Sequence, residues 1–219
     1  MKTNATSLIN DNFLTKISYK EAHNFYSQHH YIGTAPICPF HLAEFEKGLL
    51  TQVASFGFSI SQKASEGIWK HGNNNNTLEL RRLTSISDRK NAESSFIAKC
   101  LKYIKRNEPH IKLILTYADK KVNHKGIIYQ ASNFIYLGLR GGNTIYYPYK
   151  KGKIHSRTAH RWKETKNPER FYVNFDKKIS DTYEKHLYVK ILGNTKFTNK
   201  VLSQFKIKPL PYPKQVTLC

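Results

Sequence analysis

Three groups of side chains in this sequence have types and spacings suited to acid–base chemistry or anion binding. The first is the pair His29 and His30, which precedes Tyr31 and a loop punctuated by Gly and Pro. Adjacent imidazoles can supply a general base near neutral pH or two nitrogen ligands for a metal ion. With Asp119 they would give the two-histidine, one-carboxylate set that binds divalent iron. A polar loop is the simpler interpretation of the same pair.

The second group surrounds the start of the most regular predicted helix. Its members are cationic, amide or hydroxyl side chains: Arg82, Arg89, Lys90, Asn91, Ser94 and Ser95. Unpaired N–H groups at a helix start, together with the helix dipole, favour a phosphate there. We therefore predict these six residues as cofactor-binding, with Arg82 neutralising a phosphate or an oxyanion. An ordinary capped helix that follows a solvated basic loop would explain the same residues.

The third group lies at the end of a predicted buried strand, at Tyr117-Ala118-Asp119, and continues to Tyr129. Ligands usually bind at the carboxyl ends of strands in α/β sheets. A carboxylate there can orient a base or bind a cation, and Tyr129 on the next helix can return to the same crevice as a proton donor. Asp119 could equally cap the following turn.

The charge of the chain points to a polyanionic partner. There are 36 Lys and Arg against 15 Asp and Glu, a formal net charge of +21, which favours nucleic acid or an anionic surface. Residues 150–219 contain 17 basic and five acidic side chains interleaved with aromatics. We predict nucleic-acid contact there, at Lys150, Lys151, Lys153, Arg157 and Arg161. A solubilising basic face is the alternative.

Several classes of protein are excluded or disfavoured. No run of about 18 apolar residues occurs, which excludes a membrane-spanning helix. The first residues lack the apolar segment of a signal peptide. The three cysteines, Cys38, Cys100 and Cys219, are too scattered for a disulfide framework or a zinc site, and favour a reducing, cytoplasmic location.

The elements that must position these groups follow from periodicity. Helices are predicted at Tyr19–Gln28, Asn91–Arg106 and Gly126–Ser132, and strands at His41–Glu46, Leu49–Phe58, Thr77–Leu83, Ile111–Tyr117, Phe134–Leu139 and Asn143–Tyr147. Leu78 and Leu80 should share one face, together with Arg82 if the alternation holds. Residues 61–76 are predicted as a loop and Gly141-Gly142 as a turn. Strand-like pieces follow at Arg170–Phe175 and Leu187–Ile191, and the Pro-rich end should lie extended on the surface. The order predicts a mixed α/β sheet with a parallel crossover, divided into a domain at 1–149 and a basic extension at 150–219.

Four sequence blocks together resemble the Mom family of bacteriophage DNA-modification proteins. They are HHYIGTAP, LELRRL, RKNAESSFIAKCLKYIKR and LTYADKKVNHKGIIYQASNFIYLG, in that order within residues 23–139. The resemblance implies a GNAT-like acyltransferase fold, with a mixed central sheet flanked by helices, in a protein encoded by a phage or prophage and acting in the bacterial cytoplasm. It implies double-stranded DNA as substrate, with a carbamoylmethyl group added to the exocyclic amine of adenine as an anti-restriction device.

Carried over by motif, the functional positions are His30, Arg82, Ser94, Asp119 and Tyr129, and His29, Tyr31 and His124 are secondary candidates. Of these, His30, Ser94, Asp119 and Tyr129 are the expected catalytic residues. The sequence departs from the family pattern at Arg81, where an uncharged residue is frequent.

The donor of the transferred group stays open. A GNAT-like fold implies acetyl-CoA, but acetyl transfer would give an amide, and the added atoms match a glycine amide. A glycyl donor such as glycyl-tRNA is therefore a second hypothesis, and iron-assisted oxidation at His29 and His30 is a third. Two other functions compete, namely an acyltransferase acting on a protein or small amine and a non-enzymatic nucleic-acid-binding module. Either a monomer or a homodimer would suit a duplex substrate.

Overall fold

The computed structural model describes residues 12–58, 62–120, 123–149, 152–155 and 179–214. The chain forms two compact units. The first consists of Met1–Ala118, Lys125–Gly138 and Leu187–Cys219, and the second of Asp119–His124 and Leu139–His186. The units do not follow the predicted boundary after residue 149, because residues 187–214 pack within the first unit.

Eight strands and five helices are present in the described residues. The strands are β1 (Asn12–Lys16), β2 (Phe40–Glu46), β3 (Leu49–Phe58), β4 (Thr77–Ser85), β5 (Leu113–Asp119), β6 (Ile135–Tyr149), β7 (Gly152–His155) and β8 (Ile179–Ile191). The helices are α1 (Tyr19–His29), α2 (Gln62–Ile68), α3 (Ala92–Asn107), α4 (Ile127–Ala131) and α5 (Thr195–Leu202).

The sheet of the first unit is mixed. Strands β1 to β4 pair antiparallel in chain order, and β4 then pairs parallel with β5 through the crossover helix α3. The strand order is β1-β2-β3-β4-β5-β8-β6, where β8 and β6 contribute the portions that belong to this unit. This confirms the predicted mixed sheet with helices and a parallel crossover. In the second unit, β7 pairs antiparallel with Tyr146–Tyr149 of β6.

Alternating residues of the central strands build a core on each face of this sheet. Ile114 of β5 packs with Phe96 and Ile97 of α3 and with Tyr129 of α4. Its neighbours Leu113 and Leu115 pack instead with Ile68 of α2 and Val201 of α5. A third cluster joins Phe25 and Tyr26 of α1 to Val53 of β3. Helices α3 and α4 therefore cover one face, and α1, α2 and α5 cover the other.

The pairing of β4 changes twice along its length, and both changes matter for the site. The register with β3 shifts so that Phe56 opposes Leu80 and Ser55 opposes Arg82, which leaves Arg81 as the extra residue of a β-bulge. A bulge interrupts the alternation of faces: Leu80 packs in the α3 core, whereas Arg82 contacts Tyr26 of α1. The predicted shared face for Leu80 and Arg82 is therefore wrong.

The parallel ladder of β4 and β5 ends at Leu80 and Thr116, although both strands continue. The Thr116 hydroxyl donates to the Leu80 carbonyl at 3.1 Å at this last paired position. We call the region beyond it the β4–β5 fork.

Other elements differ from the prediction for identifiable reasons. Residues 62–68, predicted as loop, form α2, where good helix formers precede Ile68, a buried anchor. The predicted turn at Gly141-Gly142 lies inside the continuous strand β6, because glycine also adopts extended backbone. Strand β1 and helix α5 were not predicted.

Two sequence predictions on the C-terminal part have different outcomes. The Pro-rich end is largely exposed, in agreement with the predicted extended segment on the surface. The Leu210 N–H anchors it by donating to the Tyr136 carbonyl at 2.9 Å. The piece at 170–175 lies outside the described residues. Within the described part, no helix is long and apolar enough to cross a membrane.

Candidate functional site

Tyr26 occupies the centre of the polar contacts beside the β4–β5 fork. Helix α1 begins with a capping box between Ser18 and Glu21, which fixes its start. One face of the helix then buries Tyr26 completely against the sheet. The Tyr26 hydroxyl lies 2.9 Å from Ser55 Oγ, 3.2 Å from the Val53 carbonyl and 3.4 Å from the Arg82 carbonyl. Burial raises the pKa of Tyr26, so this phenol keeps its proton.

The contacts of Tyr26 continue into a buried chain of hydrogen bonds. Ser55 Oγ lies 2.7 Å from Nδ1 of His41, whose Nε2 is buried with no partner among the described residues. Burial lowers the pKa of His41, so the ring is neutral and carries one proton. A proton on Nδ1 lets His41 donate to Ser55, Ser55 to Tyr26, and Tyr26 to a backbone carbonyl. The opposite direction would bury an unpaired Nε2–H, which is costly.

Arg82 is held over this network with unused hydrogen-bonding capacity. Its guanidinium carbon lies 5.6 Å from the centre of the Tyr26 ring. Nε and Nη1 are both buried, and neither has a hydrogen-bond partner in the described part of the chain. Desolvation lowers the pKa of Arg82, an effect that the nearby phenols of Tyr26 and Tyr31 oppose. A buried cation with unpaired donors is costly unless a ligand accepts from it.

His30 and Tyr31 border the same place from the end of α1. The His30 ring lies edge-on to Tyr26, with centroids 5.7 Å apart, and stacks on Tyr31 at 4.5 Å. Nδ1 of His30 accepts the Ile32 N–H at 3.1 Å. This bond places the proton of the neutral ring on Nε2, which makes His30 a hydrogen-bond donor in this arrangement. His29, by contrast, is exposed and lies against Phe25.

Tyr129 approaches the fork from α4. Burial raises its pKa, and the Thr116 hydroxyl opposes the rise. The Tyr31 phenol lies close enough to influence the pKa of both Tyr129 and Arg82. The structure therefore brings His30 and Arg82 together at Tyr26. Tyr129, in its protonated form, lies in the α3 core beside Thr116.

The start of α3 opens a separate groove of about 490 Å³, here called the α3 groove. Its lining is Asn91, Ser94, Ser95, Ala98, Leu101, Lys102, Lys105, Ala131, Ser132, Asn133, Lys190, Ile191, Leu192 and Gly193. Asn91 stands at the N-cap position, as predicted, but in a left-handed conformation and without a side-chain cap. Ser94 Oγ donates to the Asn91 carbonyl at 3.1 Å, so the hydroxyl does not cap the helix either. The Ala92 N–H donates to the Arg89 carbonyl at 3.1 Å, which leaves the Glu93 and Ser94 amides of the first turn for a ligand or water.

Arg89 and Lys90 differ in how they are held. Arg89 forms ion pairs of 2.6 Å with Glu46 and 3.3 Å with the fully buried Glu44. Lys99 and Gln52 also bind Glu44. Arg89 therefore anchors the loop before α3 to β2, whereas Lys90 is exposed.

Comparison with known proteins adds the family. The model of the Mom protein family matches residues 11–214. This chain belongs to the Mom protein family. The methylcarbamoylase mom of Escherichia phage Mu is 25% identical to it over 176 residues, which cover 80% of this chain and 71% of the phage Mu protein.

Solved acetyltransferases are more distant from this Mom family member. A GNAT-family acetyltransferase of Streptococcus pneumoniae matches with a TM-score of 0.47 and 8% identity, covering 83% of this chain and 99% of its own. The ribosomal-protein-S18-alanine N-acetyltransferase of Escherichia coli has the same TM-score at 7% identity, over 84% and 96% of the two chains.

The remaining predicted positions of this Mom family member lie in the second unit or beyond the described residues. Asp119 is half-buried at the end of β5, and its carbonyl accepts the N–H of the exposed His124 at 3.0 Å. Lys153 lies in β7. Lys150, Lys151, Arg157 and Arg161 lie outside the described residues.

The histidine pair does not fit a metal site as the iron hypothesis requires. In the ranges that the structure describes, no three His, Cys, Asp or Glu side chains come together to hold a metal ion. Nδ1 of His30 is already engaged by the Ile32 N–H, and the His29 ring lies 4.8 Å from Phe25. We therefore assign no metal-dependent step to these residues.

Tyr26, Ser55 and His41 are the members of this region that the sequence analysis missed. Tyr26 lies within a predicted helix and is one of 14 tyrosines, so nothing in the sequence distinguishes it. His41 and Ser55 lie in the two strands of a predicted hairpin. The hairpin register alone pairs His41 with Ser55. The sequence could therefore have predicted a polar contact between these two residues inside the sheet.

Proposed function

We propose that this protein is a transferase that adds a carbamoylmethyl group to the exocyclic amine of adenine in DNA and thereby protects phage DNA from host restriction. Membership of the Mom family and the similarity to the phage Mu methylcarbamoylase support this proposal. The observation that carries it is the guanidinium edge of Arg82, which is buried and has no hydrogen-bond partner among the described residues and so offers a site for the amide oxygen of the transferred group. Preorganised donors of this kind stabilise charge that develops during group transfer.

Each residue has a role that its chemistry allows. Arg82 donates to the carbonyl oxygen of the transferred group, and His30 adds a second donor through Nε2. Tyr129, protonated because its pKa is raised, supplies a proton to the leaving group. As the bond between the adenine nitrogen and the CH2 carbon forms, the bond from that carbon to the donor's leaving group breaks, and Asp119, assigned from the family motif, accepts the proton that the amine loses.

The net charge of +21 supports DNA as the macromolecule that carries the adenine. Basic side chains displace counterions from the phosphate backbone, and this supplies affinity without sequence preference. Residues 150–219, with the largest excess of positive charge, are the segment we assign to this contact. The exocyclic amine of a paired adenine is engaged in base pairing, so the base must leave the stack before the transfer.

A donor that bears phosphate groups fits the α3 groove. Uncapped first-turn amides, Ser94, Ser95 and Lys102 would bind its phosphates. Acetyl-CoA would supply an activated two-carbon acyl group but no nitrogen. Glycyl-tRNA would supply two carbons and one nitrogen, the same atoms as a carbamoylmethyl group, but direct glycyl transfer to the amine gives its constitutional isomer. The glycyl isomer would therefore indicate direct glycyl transfer, whereas the carbamoylmethyl product requires a bond from the adenine nitrogen to the CH2 carbon.

The test is to express the protein in a bacterium that carries a plasmid and to analyse the plasmid nucleosides by mass spectrometry. Because the carbamoylmethyl and glycyl adducts have equal masses, fragmentation and retention are compared with synthetic standards of both. The expected product is N6-carbamoylmethyl-deoxyadenosine. Asp119→Asn should abolish it, whereas the control Asp88→Asn, in an exposed loop position, should not.

Two outcomes would overturn the proposal. Unmodified deoxyadenosine in plasmid from cells that contain folded protein, with DNA binding retained, would indicate a non-enzymatic module. Unmodified DNA together with an acylated protein or small amine would indicate an acyltransferase of another substrate class.

A further inference from the structure

We infer that the loop from Tyr31 to Ile37 is an apolar wedge that enters the base stack of duplex DNA and holds the target adenine out of the helix. The inference rests on the proposed function, since only a base that is modified within a duplex needs such a wedge.

Exposed apolar side chains are concentrated in this loop. Ile37 is 86% exposed, Tyr31 is 68% exposed and Ile32 is 48% exposed. Phe58, at the end of β3, is a fourth exposed apolar side chain. Hydrogen bonds from Arg81 link it to the loop. An isolated exposed aliphatic residue is ordinary, but a group of them on one short loop marks a surface that is covered in a complex.

The wedge is held in place by hydrogen bonds at both sides. The Arg81 guanidinium donates to the Ile37 carbonyl at 3.2 Å and also to the Phe58 carbonyl. The Ala35 N–H donates to Nδ1 of His23 at 3.3 Å, and Ala35 is buried. Since the loop is already fixed to β4 and α1, insertion would cost little conformational entropy. This also gives a role to Arg81, the cation with which the chain departs from the family pattern.

The loop borders the candidate site. Arg81, which binds Ile37, is followed directly by Arg82. The Ile32 N–H of the loop donates to Nδ1 of His30. The His30 ring lies 5.7 Å from the Tyr26 ring, against which the Arg82 guanidinium also lies. A base displaced by Ile37 would therefore leave the stack close to the unpaired guanidinium edge of Arg82.

Duplex DNA is the occupant that the charge of the chain favours. The net charge of +21 attracts a polyanion to the protein, and the apolar tip then finds its only apolar environment between base pairs. Minor-groove proteins insert Ile, Leu or Phe between base steps in this way. The wedge offsets the free energy that unstacking a base costs.

The test compares the wild-type protein with Ile37→Ser, with the conservative Ile37→Leu and with a control, Leu49→Ser. Leu49 is also exposed, at 70%, but begins β3 at the strand end opposite Phe58. Modified adenine is measured in plasmid from expressing cells. A sequence that the wild type modifies is then made as a duplex with 2-aminopurine at the target position, whose fluorescence rises when it unstacks.

We expect Ile37→Ser to reduce modified adenine at least about tenfold and to remove the fluorescence increase, since one lost wedge is worth more than about 1.4 kcal/mol. Ile37→Leu and Leu49→Ser should behave as the wild type in both measurements. Equal thermal unfolding of all four proteins serves as the control for folding.

The outcomes separate the two proposals. The wedge is overturned, and the proposed function stands, if the wild type modifies adenine and Ile37→Ser gives the same modification and the same 2-aminopurine fluorescence. No modification by the wild type overturns the proposed function and the wedge with it. If Ile37→Ser instead dissociates a dimer in sedimentation without changing the fluorescence, the loop is an interface between copies and the wedge is wrong.

Discussion

The guanidinium carbon of Arg82 lies 5.6 Å from the ring centre of Tyr26, and the hydroxyl of the same tyrosine lies 3.4 Å from the Arg82 carbonyl. One residue of α1 therefore contacts both the side chain and the backbone of the bulged segment of β4. Because Ser55 and His41 fix the hydroxyl from behind, the position of the Arg82 cation depends on a buried network that contacts no ligand itself.

Replacing Tyr26 by Phe tests this dependence. The change keeps the ring but removes the hydroxyl, so Ser55 Oγ keeps only its contact with His41 and the Val53 carbonyl loses the donor from Tyr26. We expect a loss of about 1–3 kcal/mol in the free energy of unfolding and a reduced yield of modified adenine with unchanged DNA affinity. Chemical denaturation and the plasmid assay measure the two effects. Tyr103→Phe, on the partly buried face of α3, is the control. An unaltered yield would show that Arg82 is positioned without Tyr26.

Replacing Arg82 by Lys keeps the charge but removes the planar set of N–H donors. We expect modified adenine to fall by about 100-fold, the size of the effect when a preorganised hydrogen-bond donor to the reacting group is lost, while binding to duplex DNA persists. Arg106→Lys, at the exposed end of α3, should leave the yield unchanged. Equal yields from both variants would remove Arg82 from the reaction.

Tyr129→Phe tests the proton donor and a pH dependence of stability. Its pKa is raised in the folded protein, so its contribution to stability is fully present below pH 10 and is lost as pH rises further. The variant should lose modification by about 100-fold, and its melting temperature should fall less steeply than that of the wild type as the pH rises above about 10. Parallel melting curves would contradict the buried, protonated phenol.

Arg89 and Lys90 form a matched pair for separating structure from ligand binding. Arg89→Met removes two ion pairs, one of them to the buried Glu44. We expect it to lower the free energy of unfolding by about 1–2 kcal/mol, less than for a fully buried pair because Lys99 stays on Glu44. Lys90→Met should change it by less than about 0.5 kcal/mol. Equal changes in the free energy of unfolding for the two variants, measured by urea denaturation, would contradict the anchoring role of Arg89.

Lys150, Lys151 and Lys153, replaced together by Ala, test the basic segment. If these residues contact phosphates, the dependence of DNA affinity on salt should flatten by up to about one unit for each lost contact. A triple variant of Lys20, Lys63 and Lys70 removes the same charge from exposed positions outside residues 150–219. Salt slopes that are the same in both triple variants would mean that net charge alone, and no particular segment, drives binding.

Local pattern was sufficient for much of the fold. The apolar stripe of α3, the Lys47-Gly48 hairpin and the short helix with Tyr129 are encoded within neighbouring residues, and all three are present. Strand β1 and helix α5 escaped prediction because they depend on burial against distant residues, which no local period reports.

The sequence by itself determined the charge of the chain, its family and the motif positions His30, Arg82, Ser94, Asp119 and Tyr129. Only the tertiary structure decided what each of these side chains contacts. The bulge at Arg81 directs Arg82 away from the α3 core and towards Tyr26. Arg89 forms an ion pair with Glu44. Both outcomes depend on strand register and on contacts between residues far apart in the chain, and the spacing of residues along one segment does not contain that information.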